Sequence, residues 1–169
     1  KLDIIVLKPN ILLGEKKFIV NKNKEIEYGL GGIKGVADSF ITHVSKIRKT
    51  HEFKDLWDFT RNVDIKLGGK KSLEALSFCG AFDSIAPSRS TAIACITDML
   101  QDGGKATSSA SSSGDLFASI ELDFDPYQKY TNIKELPLVE KLNLEKKSLG
   151  YYLSGHPVKA IKENIRPLR

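Results

Sequence analysis

The sequence predicts a mainly α-helical protein with a small β-hairpin near its N-terminus and a flexible linker in its second half. Apolar residues recur at helical spacing through most of residues 37–100. An extended pattern precedes them. The stretch "DGGKATSSASSSG", residues 102–114, has too few apolar side chains to form a core. A chain of 169 residues can hold one ordinary domain with appendages.

The first predicted element is a β-hairpin within residues 4–28. The segments "KKFIV" and "EIEYG" read as strands, and "NKNK" lies between them. We expect the asparagines of this tetrapeptide to adopt the left-handed conformation that a hairpin turn needs.

Four or five small helices are predicted to fill residues 30–100, after the hairpin. The first covers 37–49, with Asp38 in its first turn and basic residues at its end, as the helix dipole favours. The second begins at Asp55 and ends near Val63. The third covers 70–79 and stops at Gly80, and Pro87 opens the fourth. The apolar stripes of the first and fourth helices are Phe40, Ile41, Val44 and Ile47, and Ala92, Ile93, Ile96 and Leu100.

The second half of the chain has less regular structure in its sequence. Residues 118–138 alternate acids, aromatics and prolines without a period. A short helix resumes at Val139 and closes at Gly150, and a final helix covers about 157–165.

The charge distribution favours contact with a polyanion. Residues 1–100 hold 16 lysines and arginines against 12 acids, whereas residues 102–125 hold one lysine against five acids. The net charge of +5 therefore belongs to a basic body with an acidic interruption.

Several other classes of function are disfavoured. No apolar run is long enough to cross a membrane, and the start has no signal-peptide pattern, so we expect a cytoplasmic protein without a membrane partner. Cys79 and Cys95 are expected to be reduced thiols. His43, His51 and His156 have no acid or histidine cluster around them, so we expect structural or solvated roles. The glycines of "GLGGIKG" resemble a nucleotide-binding loop, but no Gly-Lys-Ser/Thr follows them, which disfavours an NTPase.

A hairpin between two helices is predicted at "LGGIKGVADSFITHV". Its residues follow the helix-hairpin-helix pattern, although Ala37 stands where that pattern has its final glycine. Gly35 permits a tight bend, and we expect the amides around 35–38 to point outward from the start of the next helix. Free amides and the positive end of the helix dipole suit a phosphate oxygen. The predicted DNA-contacting residues are Lys34, Gly35, Val36, Ala37, Asp38 and Lys46.

A second, looser hairpin is predicted at "SLEALSFCGAFDSIAPSRSTAIACI". Gly80 forms its hinge, and Arg89 opens the next helix. Both are predicted to contact DNA, so that a tandem helix-hairpin-helix domain would grip two points on a duplex. Such contacts position a duplex without reading its sequence. The alternative for either hairpin is a simple corner between helices.

These motifs, taken with "FKDLWDF" and "EKKSLGYYLSGHPV", resemble the C family of bacterial replicative DNA polymerases, the alpha subunits of DNA polymerase III. The resemblance implies a fragment in four parts. Residues 1–29 would end the fingers, and 30–101 would be the tandem helix-hairpin-helix domain. Residues 102–138 would be a tether, and 139–169 would lead into an absent OB domain. The family's catalytic aspartates and their expected magnesium have no counterpart here, so the fragment would be non-catalytic.

The resemblance also gives a role to "SGDLF" within the tether. The family carries a peptide at this place that binds the sliding clamp, of the form Gln-x-Asp/Ser-Leu/Met-Phe. The matching residues here are Ser113, Gly114, Asp115, Leu116 and Phe117, with Ser113 in place of glutamine. Leu116 and Phe117 would enter an apolar pocket of the clamp, or else fold back onto this chain.

The expected partners are duplex DNA, the sliding clamp and the other subunits of the polymerase III holoenzyme. Two alternatives remain open on the residues alone. One is a helix-hairpin-helix module of a DNA-repair enzyme, and the other is a protein-interaction scaffold.

Overall fold

The computed structural model describes residues 4–106 and 127–159, with side chains of the first range described up to Gly103. These ranges are mostly helical and contain a two-stranded antiparallel sheet, which confirms the predicted fold class. The strands are β1 (Ile19–Val20) and β2 (Ile26–Glu27). The α-helices are α1 (Asp38–Ile47), α2 (Leu56–Asn62), α3 (Gly69–Phe78), α4 (Arg89–Ala94), α5 (Ile96–Ala106) and α6 (Leu138–Leu149). Single 3₁₀ turns lie at Leu30–Gly32, Ile65–Leu67 and Gln128–Tyr130.

The β-hairpin is shorter than the extended sequence pattern, and its turn differs from the prediction. The pairs Ile19–Glu27 and Val20–Ile26 form the antiparallel register. The residue with positive φ in the turn is Lys24, at 62°, and not an asparagine. Asn21 instead uses its side-chain oxygen to accept hydrogen bonds from the turn amides of residues 23 and 25. Asparagine therefore stabilises this turn through its side chain.

The helices α1 and α2 lie where the sequence predicts them. Phe40, Ile41 and Val44 of α1 are buried, as their spacing requires. The N-cap of α2 is Asp55, whose carboxylate accepts hydrogen bonds of 2.8 Å from the amides of Trp57 and Asp58.

The helix predicted to start at Pro87 is two helices in the structure, and it starts later. Ser88 is the N-cap of α4, and its hydroxyl accepts from the amide of Thr91, so Pro87 lies before the cap. The break between α4 and α5 falls at Cys95, whose amide bonds to the carbonyls of Ile93 and Thr91. A tight turn of this kind leaves the apolar stripe nearly continuous, so the periodicity does not reveal it.

One hydrophobic core joins three of the four predicted parts of the chain. Ile11 and Tyr28, from the predicted end of the fingers, and Leu149, from the predicted lead-in, belong to the same cluster as the helical middle. Phe59 lies at its centre, with its ring centroid 5.0 Å from that of Phe53 and 5.2 Å from that of Phe82. Within the described residues, these parts therefore fold together.

Both ends of the predicted tether have structure. Helix α5 continues to Ala106. On the far side, Tyr127 and Tyr130 pack against the core, and the Tyr127 hydroxyl accepts a 3.1 Å hydrogen bond from the amide of Leu56. Within the segment predicted as a tether, 102–138, Tyr127 and Tyr130 thus contact the helical body. The clamp-binding residues 113–117 lie outside the described residues.

The final predicted helix is described only at its start. Residues 157–159 are helical, and the Lys159 amide donates to the carbonyl of His156. The rest of the predicted span, to residue 165, lies outside the described ranges.

Candidate nucleic-acid interface

The bend of the first predicted hairpin is built on Gly35. Its φ is +94°, which L-residues with a side chain rarely adopt, so glycine is required here for its backbone freedom. The preceding helix is only the 3₁₀ turn Leu30–Gly32, because its glycines resist a longer helix. Helix α1 begins at Asp38, directly after the bend.

A buried serine of α3 fixes this bend from behind. The Ser72 hydroxyl accepts a hydrogen bond from the amide of Ala37 (3.2 Å) and donates one to the carbonyl of Gly35 (3.3 Å). Ser72 is only 1% exposed. The bend is therefore held by a neighbouring helix as well as by its own glycine.

The amides at the bend do not all point outward, which corrects the sequence prediction. The Val36 amide donates to the carbonyl of Ile33 at 3.4 Å, and the Ala37 amide is occupied by Ser72. The available donors lie slightly later. The amides of Asp38, Ser39 and Phe40 have no acceptor among the described residues, because they belong to the first turn of α1. Asp38 and Ser39 are exposed, whereas Phe40 is completely buried, so the first two amides are the accessible ones. The N-cap, Ala37, supplies no side-chain hydrogen bond.

Charged side chains of both signs surround this helix start. Lys34 is exposed next to the bend. Asp38 is exposed and forms an ion pair of 2.8 Å with Lys16. Lys46 is also exposed, but it lies eight residues further along α1, about 12 Å away at 1.5 Å per residue. Lys34 and the first turn thus share one end of the helix, and Lys46 lies near the other.

The hinge of the second hairpin has the geometry that its sequence predicts. Gly80 follows α3 with a φ of +78°. Its amide donates to the carbonyl of Ser77, and the next amide, that of Ala81, donates to the carbonyl of Leu76. This pair of bonds is the Schellman motif, which satisfies the last carbonyls of the helix.

Arg89 does not face solvent, so its predicted contact with phosphate is not seen in the structure. Its side chain is 2% exposed and pairs with Asp83 at 2.6 Å and with the equally buried Glu145 at 3.5 Å. Burial by itself lowers the pKa of this guanidinium, but the hydrogen bond and charge of Asp83 and the charge of Glu145 outweigh burial and raise it. The residue is an internal cation that joins α4 to α6.

The start of α4 is already occupied by an anion of this chain. The Glu135 carboxylate accepts hydrogen bonds from the amides of Arg89 (3.1 Å) and Ser90 (3.2 Å). Burial would raise the pKa of Glu135, but the hydrogen bonds from the Leu136 amide, Lys141, and α4 lower it to about 2. A carboxylate thus holds the place that the sequence prediction gave to a phosphate. The second hairpin offers no free first-turn amide at these two positions.

The sequence did not predict the contact of Ser72 with the first bend or that of Glu135 with α4. Ser72 lies on a predicted helix, where serine has no distinctive pattern. Glu135 lies in a stretch without a period and reaches α4 from 46 residues along the chain. No local signal in the sequence marks either contact.

Each of the three histidines has a hydrogen-bond partner within the protein, and both cysteines are buried. His43 accepts a hydrogen bond from the Asp64 amide, His51 lies 3.0 Å from the Asp58 carboxylate, and His156 accepts from the Val158 amide. Cys79 and Cys95 are free and buried, and burial raises the pKa of their thiols to about 12 and about 11.

Over 4–106 and 127–159, no group of three or more His, Cys, Asp or Glu side chains is placed to hold a metal ion. Among the helices in those ranges, none has the length and apolarity needed to cross a bilayer.

Comparison with known proteins shows which family this chain resembles in sequence. The helix-hairpin-helix motif family matches residues 3–92. The chain is 34% identical to the alpha subunit of DNA polymerase III from Pseudomonas fluorescens, over 94% of this chain and 15% of that protein. It is 35% identical to the same subunit from Vibrio cholerae and from Bacillus subtilis, over 92% and 96% of this chain. It spans 14% of each of those two relatives, so the similarity covers about one seventh of a much longer protein.

Proposed function

Because the chain belongs to the helix-hairpin-helix motif family, in the form found in the alpha subunit of DNA polymerase III, we propose that it binds the backbone of duplex DNA as a non-catalytic part of a replicative polymerase. The first hairpin makes the central contact. A phosphate oxygen accepts hydrogen bonds from the first-turn amides of α1, and Lys34 lies beside it. Binding is independent of base sequence, because backbone contacts carry no base information.

The observation that carries this proposal is the start of α1. The amides of two exposed residues there, Asp38 and Ser39, have no acceptor among the described residues, and the preceding bend is fixed by Ser72. Donors that are already oriented need little reorganisation when an anion arrives. The second hairpin contributes to the stability of the fold, because its α4 amides bind Glu135 and its Arg89 pairs with Glu145.

Two substitutions at Asp38 test this contact. Asp38→Pro removes one amide donor, and proline suits the first position of a helix. The preceding residue, Ala37, already has the extended conformation that proline requires before it, with φ −75° and ψ 135°. Asp38→Ala is the matched control, because it removes the same carboxylate and keeps the amide.

We expect Asp38→Ala to bind duplex DNA at least as tightly as the unchanged chain, since a negative charge near the phosphate is lost. We expect Asp38→Pro to bind about tenfold more weakly than Asp38→Ala, since a hydrogen bond to a charged group contributes about 1.5–3 kcal/mol. Fluorescence anisotropy with a labelled duplex measures both. Equal affinity of the two variants would contradict a role for the α1 amides.

A salt titration separates this function from the alternatives. A backbone-binding module loses affinity steeply as salt rises and does not distinguish duplexes of different sequence. A protein-interaction scaffold shows no duplex binding at any salt concentration. The repair-enzyme alternative is disfavoured by the relatives, which are polymerase subunits.

We further propose that the peptide from Ser113 to Phe117 docks the sliding clamp. The support is its sequence, "SGDLF", within an acidic stretch, and the position of that peptide in the polymerase family. Leu116 and Phe117 provide the apolar anchor, and Asp115 and the backbone set the register. Other holoenzyme subunits and magnesium are proposed only for the longer polymerase, and we propose no metal site in this chain.

Replacing Leu116 and Phe117 together with alanine should abolish clamp capture in a pull-down with the purified clamp. Duplex affinity should stay unchanged, because the first hairpin is untouched. Loss of both activities would point to misfolding, and clamp capture that persists would overturn the docking proposal.

A further inference from the structure

A basic cavity of about 330 Å³ lies directly beside the first hairpin. Its walls carry Lys34 from the bend, Lys71 from α3 and Lys147 from α6, together with Glu74. Its floor includes Ala75 and Phe78. Residues that are distant in the chain therefore bring three lysine side chains to one cavity.

Hydrogen bonds on two sides of the bend hold these walls together. The Lys34 amide donates a 2.8 Å hydrogen bond to the carbonyl of Ser148 on α6. On the other side, the Ser72 hydroxyl ties α3 to the carbonyl of Gly35 and the amide of Ala37. The bend is thus fixed to both helices that supply the other two lysines.

The lysine side chains pack along the walls. The Cε of Lys71 lies 3.2 Å from the position that a Cβ on Gly35 would take, so this stem covers the bend. The ammonium of Lys34 lies against Gly150 at the end of α6, 2.9 Å from a Cβ built there. The Nζ of Lys147 lies 4.9 Å from the ring centroid of Phe78. Long basic side chains commonly bury their stems in this way and keep their charges at the surface.

The cations around this cavity lack an anionic partner. Lys34, Lys71 and Lys147 form no ion pair with any carboxylate of the described residues. The one acid on the wall, Glu74, is paired with Lys70 at 3.7 Å. Like charges held close together repel one another, and an anion between them relieves the repulsion. The arrangement therefore favours a ligand with a compact negative charge and several acceptor oxygens.

We propose that this cavity binds a backbone phosphate of the duplex through Lys34, Lys71 and Lys147, next to the phosphate held at the start of α1. The inference rests on the proposed function, because it extends the path of the same duplex from the first hairpin. It makes α6 part of the DNA-binding surface, although α6 lies beyond the residues that match the helix-hairpin-helix family.

The test compares two double variants of the full chain with equal loss of charge. The first variant is Lys71→Gln with Lys147→Gln. The control is Lys54→Gln with Lys146→Gln, which changes two exposed lysines outside the cavity. Lys146 follows the same helix as Lys147 and lies over the Tyr152 ring. Binding of a labelled duplex of 20 base pairs is measured by anisotropy across a salt series.

We expect the cavity variant to bind roughly tenfold more weakly than the control, and its log–log salt slope to fall by about 1–2, because each lysine lost from a phosphate lowers the slope by about 1. Circular dichroism and urea unfolding check that both variants are folded. Equal affinities and slopes for the two variants would overturn the cavity inference and leave the proposed function intact. Absence of duplex binding by the unchanged chain would overturn both.

A second arm separates the duplex backbone from free phosphate compounds. Inorganic phosphate is titrated at constant ionic strength, and the amide signals of Lys71 and Lys147 are followed by NMR. Shifts in these signals together with weaker duplex binding by the cavity variant support a shared phosphate site. Shifts with unchanged duplex binding would mean that the cavity takes a free phosphate compound, and would overturn the inference.

Discussion

Glu135 shows how one side chain connects a segment of irregular structure to a helix. Its carboxylate accepts hydrogen bonds from the amides of Arg89 and Ser90 and pairs with Lys141 at 3.0 Å. Burial would raise the pKa of Glu135, but the hydrogen bonds from the Leu136 amide, Lys141 and the start of α4 lower it from its usual 4.5 to about 2. A carboxyl group with a lowered pKa in the folded state stabilises the protein above its unfolded pKa, and this stabilisation disappears as the pH falls through the folded value.

Glu135→Gln should therefore lower the free energy of unfolding at pH 7 and should matter little near pH 2. The expected loss at pH 7 is about 1 kcal/mol, because the side chain is 39% exposed and solvent screens its interactions. The difference from the unchanged chain should shrink between about pH 4.5 and pH 2. Urea unfolding at several pH values measures it.

Glu52→Gln provides the matched control, because Glu52 is exposed and its side chain forms no hydrogen bond or ion pair with the described residues. It should leave the free energy of unfolding nearly unchanged, because no contact of the described residues is lost. A Glu135→Gln variant whose stability follows that of the control at every pH would show that the carboxylate does not hold α4.

Arg89 is a second residue whose position in the sequence does not reveal its role. A basic residue at the start of a helix suggests an exposed contact for phosphate, but this guanidinium is buried with Glu145. Glu145 also accepts hydrogen bonds from the amides of Leu153 and Ser154. Its two oxygens thus connect three parts of the chain, so the pair is part of the fold.

At the scale of elements, two helices end at a glycine in the left-handed conformation. Gly80 follows α3 with φ +78°, and Gly150 follows α6 with φ +92°. Their surroundings differ. A Cβ on Gly80 would lie 2.6 Å from Oδ2 of Asp83 and also against the buried Arg89 guanidinium, whereas a Cβ on Gly150 would meet only the flexible end of Lys34.

Gly80→Ala should therefore destabilise the protein more than Gly150→Ala does. Both substitutions carry the cost of a left-handed alanine, about 1–2 kcal/mol. Only the first also displaces the buried Arg89 guanidinium from Asp83, whose carboxylate is 40% exposed. We therefore expect a further loss of about 1–3 kcal/mol, the cost of a buried donor left without its partner. Denaturant unfolding of both variants gives the comparison, and equal losses would show that the Asp83–Arg89 pair moves aside freely.

The start of α1 differs from the start of α4 in a way that only the elements reveal. Helix α4 has a serine cap and a carboxylate on its first amides, and α1 follows an alanine that offers no side-chain acceptor. Two hairpins of similar sequence pattern therefore have different capacities for an external anion. We infer that the duplex contact is concentrated on the first hairpin and on the basic cavity beside it.

At the scale of the whole molecule, the predicted parts are bound together by packing and by long-range polar contacts. The Arg48 guanidinium donates to the carbonyls of Ile11 and Gly14 at 2.9 Å and pairs with Glu15. Burial lowers the pKa of this arginine, and the charge of Glu15 opposes that effect. The N-terminal segment is thus fastened to α1 and shares its core.

A chain reduced to residues 30–101 should consequently be much less stable than the full chain. It lacks Ile11, Tyr28 and Leu149 of the core, and the loss of one large buried side chain costs about 2–5 kcal/mol. Thermal unfolding followed by circular dichroism should show a single cooperative transition for the full chain and little or none for the shorter one. A shorter chain that melts at the same temperature would show that 30–101 is an independent domain.

The sequence by itself determined most of the helices, the two glycine bends and the resemblance to the polymerase family, because apolar periodicity and backbone restrictions act over a few neighbouring residues. It did not determine which hairpin keeps free donors. That depended on Ser72, Glu135 and Glu145, which act on partners between 35 and 56 residues away. Only the tertiary structure decided that Arg89 lies inside and that Lys147 lies beside Gly35, since burial and charge convergence depend on which elements pack together.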